Sequence, residues 1–532
     1  MPEAIAVCQQ ILQAQPTSAD ALNTLAILQQ FNGSLSEARD TLLRAITFHP
    51  QIPEFHYNLA NVHRDLGDFD TAISSYRQAL SLRPDFRPAM NNLANALKET
   101  GDIPGAKALF ERTLCVHREP RIASNLLYLC YFDPEATPQR IFQQHAEWNR
   151  IYAQPVVGSH LGFPNDRSAD RMLRVGYVSP DFRNHPVARF LLPLLTEHDR
   201  ARFQVFCYSD VWRPDSMTRR IQALANGWRD TTRLSDDQVA QLVRQDRIDI
   251  LVDLTMHMDG NRMLVFARKP APVQVTYLAY AGTTGLTTID YRLSDAYLDP
   301  PSPSGSEESV YSEKTLRLDS YWCYAPPPET PAVGPLPALT TGHMTFGCLN
   351  NFSKINPSIL ETWRALLASV ANSRLILSAH QGSHRRRVQD FLSQAGVSPD
   401  RLEFHGVLPF AEYLDLYNRI DIALDPFPYP GGTTSFDALY MGVPVITLPG
   451  HTAVSRAGVS ILEHLGLPEF IARSSADYTA LTSRLAADTG KLAGLRRSLR
   501  SRLLSSTLTD ARLFTRSVES AFRNAWVVWC GK

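Results

Sequence analysis

Four kinds of residue return every 34 positions through the amino-terminal part of the chain, and that period leaves few folds open. Leu25, Leu59 and Leu93 form one column; Gly33, Gly67 and Gly101 a second; Ala4, Ala38, Ala72 and Ala106 a third; Pro16, Pro50 and Pro84 a fourth. Ala26, Ala60 and Ala94 follow the leucines, small enough to let paired helices approach closely. The glycines suit the turn within a helix pair, and the prolines stop its second helix.

A 34-residue helix–turn–helix period is that of the tetratricopeptide repeat, a solenoid unit. Repeats are expected over residues 1–118, the first supplying only its second helix, with irregular connecting helices over 119–170. Asn58, Asn61, Asn92 and Asn95 place paired amides on successive first helices, where they can bind an extended peptide backbone, bond repeat to repeat, or simply form solvated helix surface.

From Leu173 the pattern changes to short β-branched runs: LRVGYVS (173–179), FQVFCYS (203–209), IDILVDL (248–254) and PVQVTYL (272–278). After a proline-rich stretch, APPPETPAVGPLP (325–337), the grammar repeats in MTFGCLN, SRLILSA, RLEFHGV, IDIALDP and GVPVITLPG. Apolar strands alternating with helical segments mean parallel, doubly wound sheets. The expected fold is therefore an α-helical repeat domain followed by two Rossmann-like α/β lobes, at 171–325 and 338–532. A nucleotide is expected in the cleft outside the carboxyl ends of their strands. The apolar segment 510–527 is expected to pack back onto the first lobe.

Charge and composition narrow the function. The 53 Lys and Arg balance 53 Asp and Glu, against nucleic acid or an anionic membrane as main partner. Seven scattered cysteines contain no CxxC pair, so neither a disulfide framework nor a zinc ribbon is encoded. The amino terminus carries Glu3 and no uninterrupted apolar core, and no run approaches the ~18 apolar residues of a membrane span. A soluble, cytoplasmic protein is expected. No GxGxxG follows the first strand, and GxxxxGK[ST], GxSxG and HExxH are all missing. The only DxD, Asp68-Phe69-Asp70, falls in a repeat turn, so no metal site is expected in either lobe. His380 and His384, before three arginines, read as a solvated helix start.

Three clusters stand at strand ends. SPDFRNHP (179–186) offers Asp181 and His185, a carboxylate with an imidazole suited to proton transfer near neutrality, or simply a helix cap. CLNNFSKINP (348–357) offers Lys354 with Asn350 and Asn351, a cation able to offset negative charge on a leaving group. DPFPYPGGTTSFDALYMGVPVITLPG (425–450) sets Gly431 and Gly432 before Thr433 and Thr434, which read as the cap of a helix and a ready anion site. Asp437, one turn in, could accept ribose hydroxyls.

Taken together, GYVSPDFRNHP, PAPVQVTYLAYAGTTGLTTIDYRLSD, NNFSKINP and FPYPGGTTSFDALYMGVPVITLPG behind tetratricopeptide repeats resemble the O-linked N-acetylglucosaminyltransferase family in a bacterial form. The resemblance implies a GT-B fold and metal-independent, inverting transfer from UDP-GlcNAc to Ser or Thr hydroxyls of proteins, with no cofactor. It implies His185 and Asp181 in the general-base loop, Asn184 beside the sugar and Leu278 in the sugar-side motif. Lys354, in its loop with Asn351, would steady the diphosphate; Thr433 and Thr434 would meet the pyrophosphate and Asp437 the ribose. Ala279 and Ala281 replace a Gly and a Pro of the animal enzymes, Gly432 a histidine, and Phe410 and Tyr413 a Lys and a His. The second-lobe motifs are also similar to Spindly-type O-fucosyltransferases, which use GDP-fucose. A non-catalytic peptide-binding scaffold with degenerate lobes is the third alternative.

Overall fold

The computed structural model describes residues 1–158, 162–301 and 309–531. Two compact units account for them: residues 1–126 with 349–368 and 374–409, and residues 127–348 with 369–373 and 410–532.

The first unit begins with seven helices, α1 (Pro2–Ala14), α2 (Ala19–Phe31), α3 (Leu35–Phe48), α4 (Pro53–Asp65), α5 (Phe69–Leu82), α6 (Arg87–Glu99) and α7 (Ile103–Val116). Each repeat column does its expected job. Ala26, Ala60 and Ala94 are buried in the pairs α2/α3, α4/α5 and α6/α7, as are Ala38, Ala72 and Ala106. Gly33, Gly67 and Gly101 all adopt positive φ, 83°, 78° and 77°, a left-handed turn that a Cβ would strain. Helices α1, α3 and α5 each end two residues before a column proline.

The asparagines face one another across repeats. Asn58 Nδ2 donates to Asn23 Oδ1 (2.7 Å), Asn92 Nδ2 to Asn61 Oδ1 (2.9 Å), and Asn125 Nδ2 to Asn91 Oδ1 (3.1 Å). Asn95 donates to the Asn91 carbonyl at 3.1 Å. Of the four amides singled out in the sequence, those of Asn58, Asn61 and Asn92 bond repeat to repeat, whereas Asn95 bonds back within α6.

The DxD is structural. Asp68 caps α5 by accepting from the Thr71 N–H at 3.2 Å. Asp70 accepts from the Ser383 N–H (2.8 Å) and hydroxyl (2.7 Å), at the start of the helix Ser383–Ser393. The cap Gly382 of that helix has no side chain to do this. His384 is not solvated: it is 1% exposed, against the Phe352 ring (centroids 4.8 Å apart), and burial pushes its pKa down to about 4.

The second unit holds a seven-stranded, all-parallel sheet of β1 (Leu173–Ser179), β2 (Phe203–Ser209), β3 (Gly227–Asp230), β4 (Ile250–Asp253), β5 (Val273–Thr276), β6 (Tyr291–Asp295) and β7 (Lys314–Leu318), in the order β3-β2-β1-β4-β5-β6-β7. The chain runs outward from β1 to β3 and returns at β4, so the switch point lies between β1 and β4. Strands β1 and β2 match their sequence runs residue for residue; β3, β6 and β7 did not stand out because polar residues interrupt them. In β6 the interrupter, Arg292, is fully buried and pairs with Asp299 at 2.9 Å.

The second lobe supplies five more strands, β8 (Thr345–Cys348), β9 (Arg374–Ser378), β10 (Leu402–His405), β11 (Ile422–Leu424) and β12 (Val445–Ile446). Strand β11 pairs in parallel with both β8 and β12, and β9 with β10. The architecture is thus helical repeats followed by two parallel-sheet, Rossmann-like lobes. The terminal helix Ala511–Cys530 packs on β5, β7 and the helix α10 (Pro186–Glu197), whose preceding members α8 (Pro120–Leu129) and α9 (Pro138–Trp148) lie in the connector. The connector is more than a tether: Tyr131 and Ile141 share a buried cluster with Met256, Tyr280 and Val454.

Candidate active site

The loop after β1 places Asp181 and His185 at the switch point. His185 is the N-cap of α10, its Nδ1 accepting from the Val187 N–H at 3.3 Å, with Asp181 Oδ2 3.6 Å from the same nitrogen. Both sequence alternatives, cap and dyad, therefore meet on one atom. The tautomer with Nδ1 protonated faces Asp181 and leaves Nε2 as a proton acceptor; the other keeps the cap. Burial holds the His185 pKa below its ordinary value, the Asp181 charge opposes this, and Arg183 adds to it. Asp181 is buried and accepts from Arg183 Nη2 at 3.2 Å.

Three strand ends enclose a cavity of about 330 Å³ beside this dyad, lined by Asp181, Arg183 and His185 after β1, Trp212 after β2, and Met258 after β4. Asn184 is exposed on the same loop, its N–H donating to Asp215 Oδ2 at 2.7 Å. Leu278, just past β5, is buried at φ 83°, a strained conformation for a branched side chain, and its N–H donates to the Tyr321 hydroxyl at 3.0 Å. Asp253, which ends β4, is a residue the sequence did not single out. It accepts from Thr276 Oγ1 (2.8 Å) and from the Thr255 and Met256 N–H groups, and burial pushes its pKa up to about 6.

The glycine loop after β11 is held by Asp425, whose carboxylate accepts from the Gly431 N–H (2.9 Å), Ser435 Oγ (2.9 Å) and Thr447 Oγ1 (3.1 Å). The helix Thr433–Tyr440 has Gly432 as its N-cap and no side-chain cap. Thr433 and Thr434 are thus the first two helical residues, where the sequence pattern suggested the cap itself. An uncapped helix start suits an anion. Only Gly431 is sterically required: a Cβ there would lie 2.6 Å from Thr434 Oγ1 and 2.8 Å from Asp425 Oδ1, whereas at Gly432 it meets nothing nearer than Trp322 at 3.4 Å.

Asp437 is 1% exposed and already engaged. Its Oδ1 accepts from Arg189 Nη2 and from the Tyr324 hydroxyl, both at 2.6 Å; its Oδ2 accepts from Arg189 Nη1 (3.3 Å) and the Tyr413 hydroxyl (3.2 Å). Tyr324 is fixed by stacking on Phe436, ring centroids 5.0 Å apart at 8°. The Arg189 guanidinium lies 5.1 Å from the Tyr324 ring centre and 5.3 Å from that of Phe410. Arg189 and Tyr324 carry no sequence signal, because their partner is remote in the chain.

Lys354 and Asn351 belong to the repeat-bearing unit. Lys354 ends the 3-10 turn Phe352–Lys354, its Nζ donating to Asn350 Oδ1 at 3.2 Å. Asn351 caps that turn, accepting from the Ser353 N–H at 3.0 Å, and its Nδ2 donates to Glu99 at 3.2 Å. Its side chain therefore serves the loop's own geometry. Among the described residues no group of three or more His, Cys, Asp or Glu is arranged to hold a metal ion, and no helix is long and apolar enough to cross a membrane.

The family model for glycosyl transferase family 41 matches residues 134–322 and 337–518, and tetratricopeptide-repeat models match 1–62, 53–86 and 89–119. The probable UDP-N-acetylglucosamine–peptide N-acetylglucosaminyltransferase SPINDLY of Oryza sativa subsp. japonica is 39% identical over 416 residues, covering 76% of this chain and 44% of that protein. The probable enzyme SEC of Arabidopsis thaliana is 31% identical, covering 71% of this chain and 40% of the relative. The chain thus spans less than half the length of these curated relatives. A solved mutant of the Thermobaculum terrenum O-GlcNAc transferase is 35% identical and superposes with a TM-score of 0.89, covering 96% of this chain and 98% of that one.

Proposed function

Since the chain belongs to glycosyl transferase family 41, we propose that it transfers N-acetylglucosamine from UDP-N-acetylglucosamine to serine or threonine hydroxyls of proteins, with inversion and without a metal ion. The observation that carries this reading is the pairing of His185 with Asp181 at the switch point, beside an open cavity. A hydroxyl entering there meets an imidazole that burial keeps neutral at physiological pH, able to take its proton as the oxygen attacks the anomeric carbon. Asn184 and Leu278 flank the sugar. The uncapped helix start at Gly432, Thr433 and Thr434 receives the pyrophosphate, and Asp437 receives the ribose. Lys354, with Asn351 shaping its loop, offsets the charge of the departing diphosphate. The repeats bring extended, flexible protein segments rather than nucleic acid or lipid.

The test is incubation of the chain with UDP-N-acetylglucosamine and candidate protein acceptors, read by intact-protein mass spectrometry. A mass gain of one N-acetylhexosamine that survives EDTA is expected. Loss of transfer in EDTA, restored by magnesium, rejects the metal-free step. Competition by GDP rather than UDP would transfer the reading to a GDP-fucose donor, and no turnover of either donor would leave a repeat scaffold.

A further inference from the structure

We propose that Arg189 is the residue that positions Asp437 to receive the donor's ribose, and so sets how strongly the site recognises a ribose hydroxyl. The inference deepens the function proposed above and rests on it.

The two oxygens of Asp437 are unequally served. Oδ1 holds two short bonds, from Arg189 Nη2 and from Tyr324, and Arg189 Nη2 also donates to the Tyr324 oxygen at 2.9 Å, closing a triangle around that oxygen. Oδ2 holds two long ones. One of these is contested. Tyr413 has a single hydroxyl proton, and its oxygen is 3.0 Å from that of Tyr417 as well as 3.2 Å from Oδ2. Tyr417 donates its own proton to the Thr434 carbonyl at 3.0 Å, so the Tyr413–Tyr417 contact needs the proton of Tyr413. Oδ2 is then left with one stretched bond from Arg189 Nη1.

A second observation comes from the guanidinium. Arg189 Nε is buried and has no hydrogen-bond partner. The pair therefore offers an acceptor short of a donor, Oδ2, and a donor short of an acceptor, Nε. A hydroxyl can donate to Oδ2, and a vicinal diol offers two such donors. That is the chemistry of a ribose, and unlike that of a deoxysugar. In this arrangement Arg189 and Tyr324 pin Oδ1, Oδ2 is aimed by that grip, and a ribose hydroxyl supplies the donor that Oδ2 lacks.

The experiment measures dissociation constants of UDP, 2′-deoxy-UDP and 3′-deoxy-UDP for the full chain by calorimetry, in wild type, Arg189→Met, Arg189→Lys and Tyr324→Phe. A hydrogen bond to a buried charge is worth about tenfold or more in affinity. Wild type is expected to lose about tenfold when the recognised hydroxyl is removed. Arg189→Met should bind UDP about tenfold more weakly and discriminate the deoxy nucleotide by no more than about twofold. Arg189→Lys should restore part of the discrimination, because it returns a donor to Oδ1. A variant with wild-type discrimination and merely weaker overall binding would make Arg189 structural and overturn the proposal. Should Arg189→Met fail to fold, Tyr324→Phe and Arg189→Lys decide: full wild-type discrimination in both rejects the grip on Oδ1. If wild type binds GDP in place of UDP, GDP, 2′-deoxy-GDP and 3′-deoxy-GDP are measured on the same variants, and loss of discrimination in Arg189→Met supports the proposal while wild-type discrimination overturns it. Wild type that binds neither nucleotide rejects the proposed function itself, a result distinct from loss of ribose discrimination alone.

Discussion

Three influences act on the charge of His185 in different directions, two of them single neighbouring residues, and this makes its pH behaviour adjustable one residue at a time. Burial is the largest influence and lowers the pKa, Asp181 raises it, and Arg183 lowers it. A general base works only when unprotonated, so the acid limb of kcat/KM should lie below the ordinary imidazole value of about 6.5. Arg183→Ala removes a repelling cation and should move that limb to higher pH. Asp181→Asn removes the attracting anion and should move it lower. A limb that stays put in both variants would mean that another group titrates. Lys354→Ala should reduce turnover ~100-fold, the usual loss of one donor aimed at developing negative charge. Steady-state kinetics at saturating donor would check this, and near wild-type turnover would reject the role. Residue types at and just after strand ends singled out His185, Lys354 and Asp437 as candidates in the sequence. Arg189 was not, since the carboxylate that gives it meaning lies 248 residues away.

Among the elements, the glycine loop makes the sharpest demand on side-chain size. Ala at 431 would press its methyl against Ser435 Oγ, Thr434 Oγ1 and Asp425 Oδ1, displacing the carboxylate that orders the loop. Gly431→Ala should therefore weaken UDP binding by about tenfold or more, whereas Gly432→Ala, with ordinary van der Waals space, should stay within about threefold. Equal losses in the two variants would show that the loop does not depend on the Asp425 anchor. Elements with a clean period were legible. The repeat helices follow their columns, and β1 and β2 coincide with runs in which the apolar and aromatic residues outnumber the polar ones. Strands β3, β6 and β7 were hidden by residues such as Arg292, which is buried only because Asp299 and Tyr311 neutralise and cover it. Periodicity reports burial of apolar residues, and a buried ion pair defeats it.

Across the whole molecule, order along the chain and order in space part company. Sequence boundaries suggested a repeat domain that could be removed at about residue 118. In the structure, residues 349–368 and 374–409 of the second lobe belong to the same compact unit as the repeats. Phe352 packs against Gly101, where a Cβ would stand 3.2 Å from its ring, and Asp70 supplies the cap that the helix Ser383–Ser393 lacks. Deleting residues 1–118 should remove these supports together. The truncated chain should melt several degrees lower, since loss of a cap alone costs about 1 kcal/mol. Limited proteolysis should cut it first near residue 383. A truncated chain with the melting temperature of the full one would show that the lobe carries itself. Such interleaving was illegible from sequence because contacts between remote segments leave no period behind.

The Asp70–Ser383 bond also bears on how the chain is made. Its partners are 313 residues apart. At about 5–20 residues per second, a ribosome needs roughly 15–60 s to travel between them. Helix α5 can form as soon as it emerges, because each repeat pair is local and closes quickly. Its Asp70, which will cap the later helix, must then wait, turned to water, while the whole seven-stranded sheet is synthesised. The repeats are in this sense a template laid down early, on which a late segment of the second lobe settles. Synonymous codons that slow translation before residue 349 would lengthen that wait without altering a single amino acid.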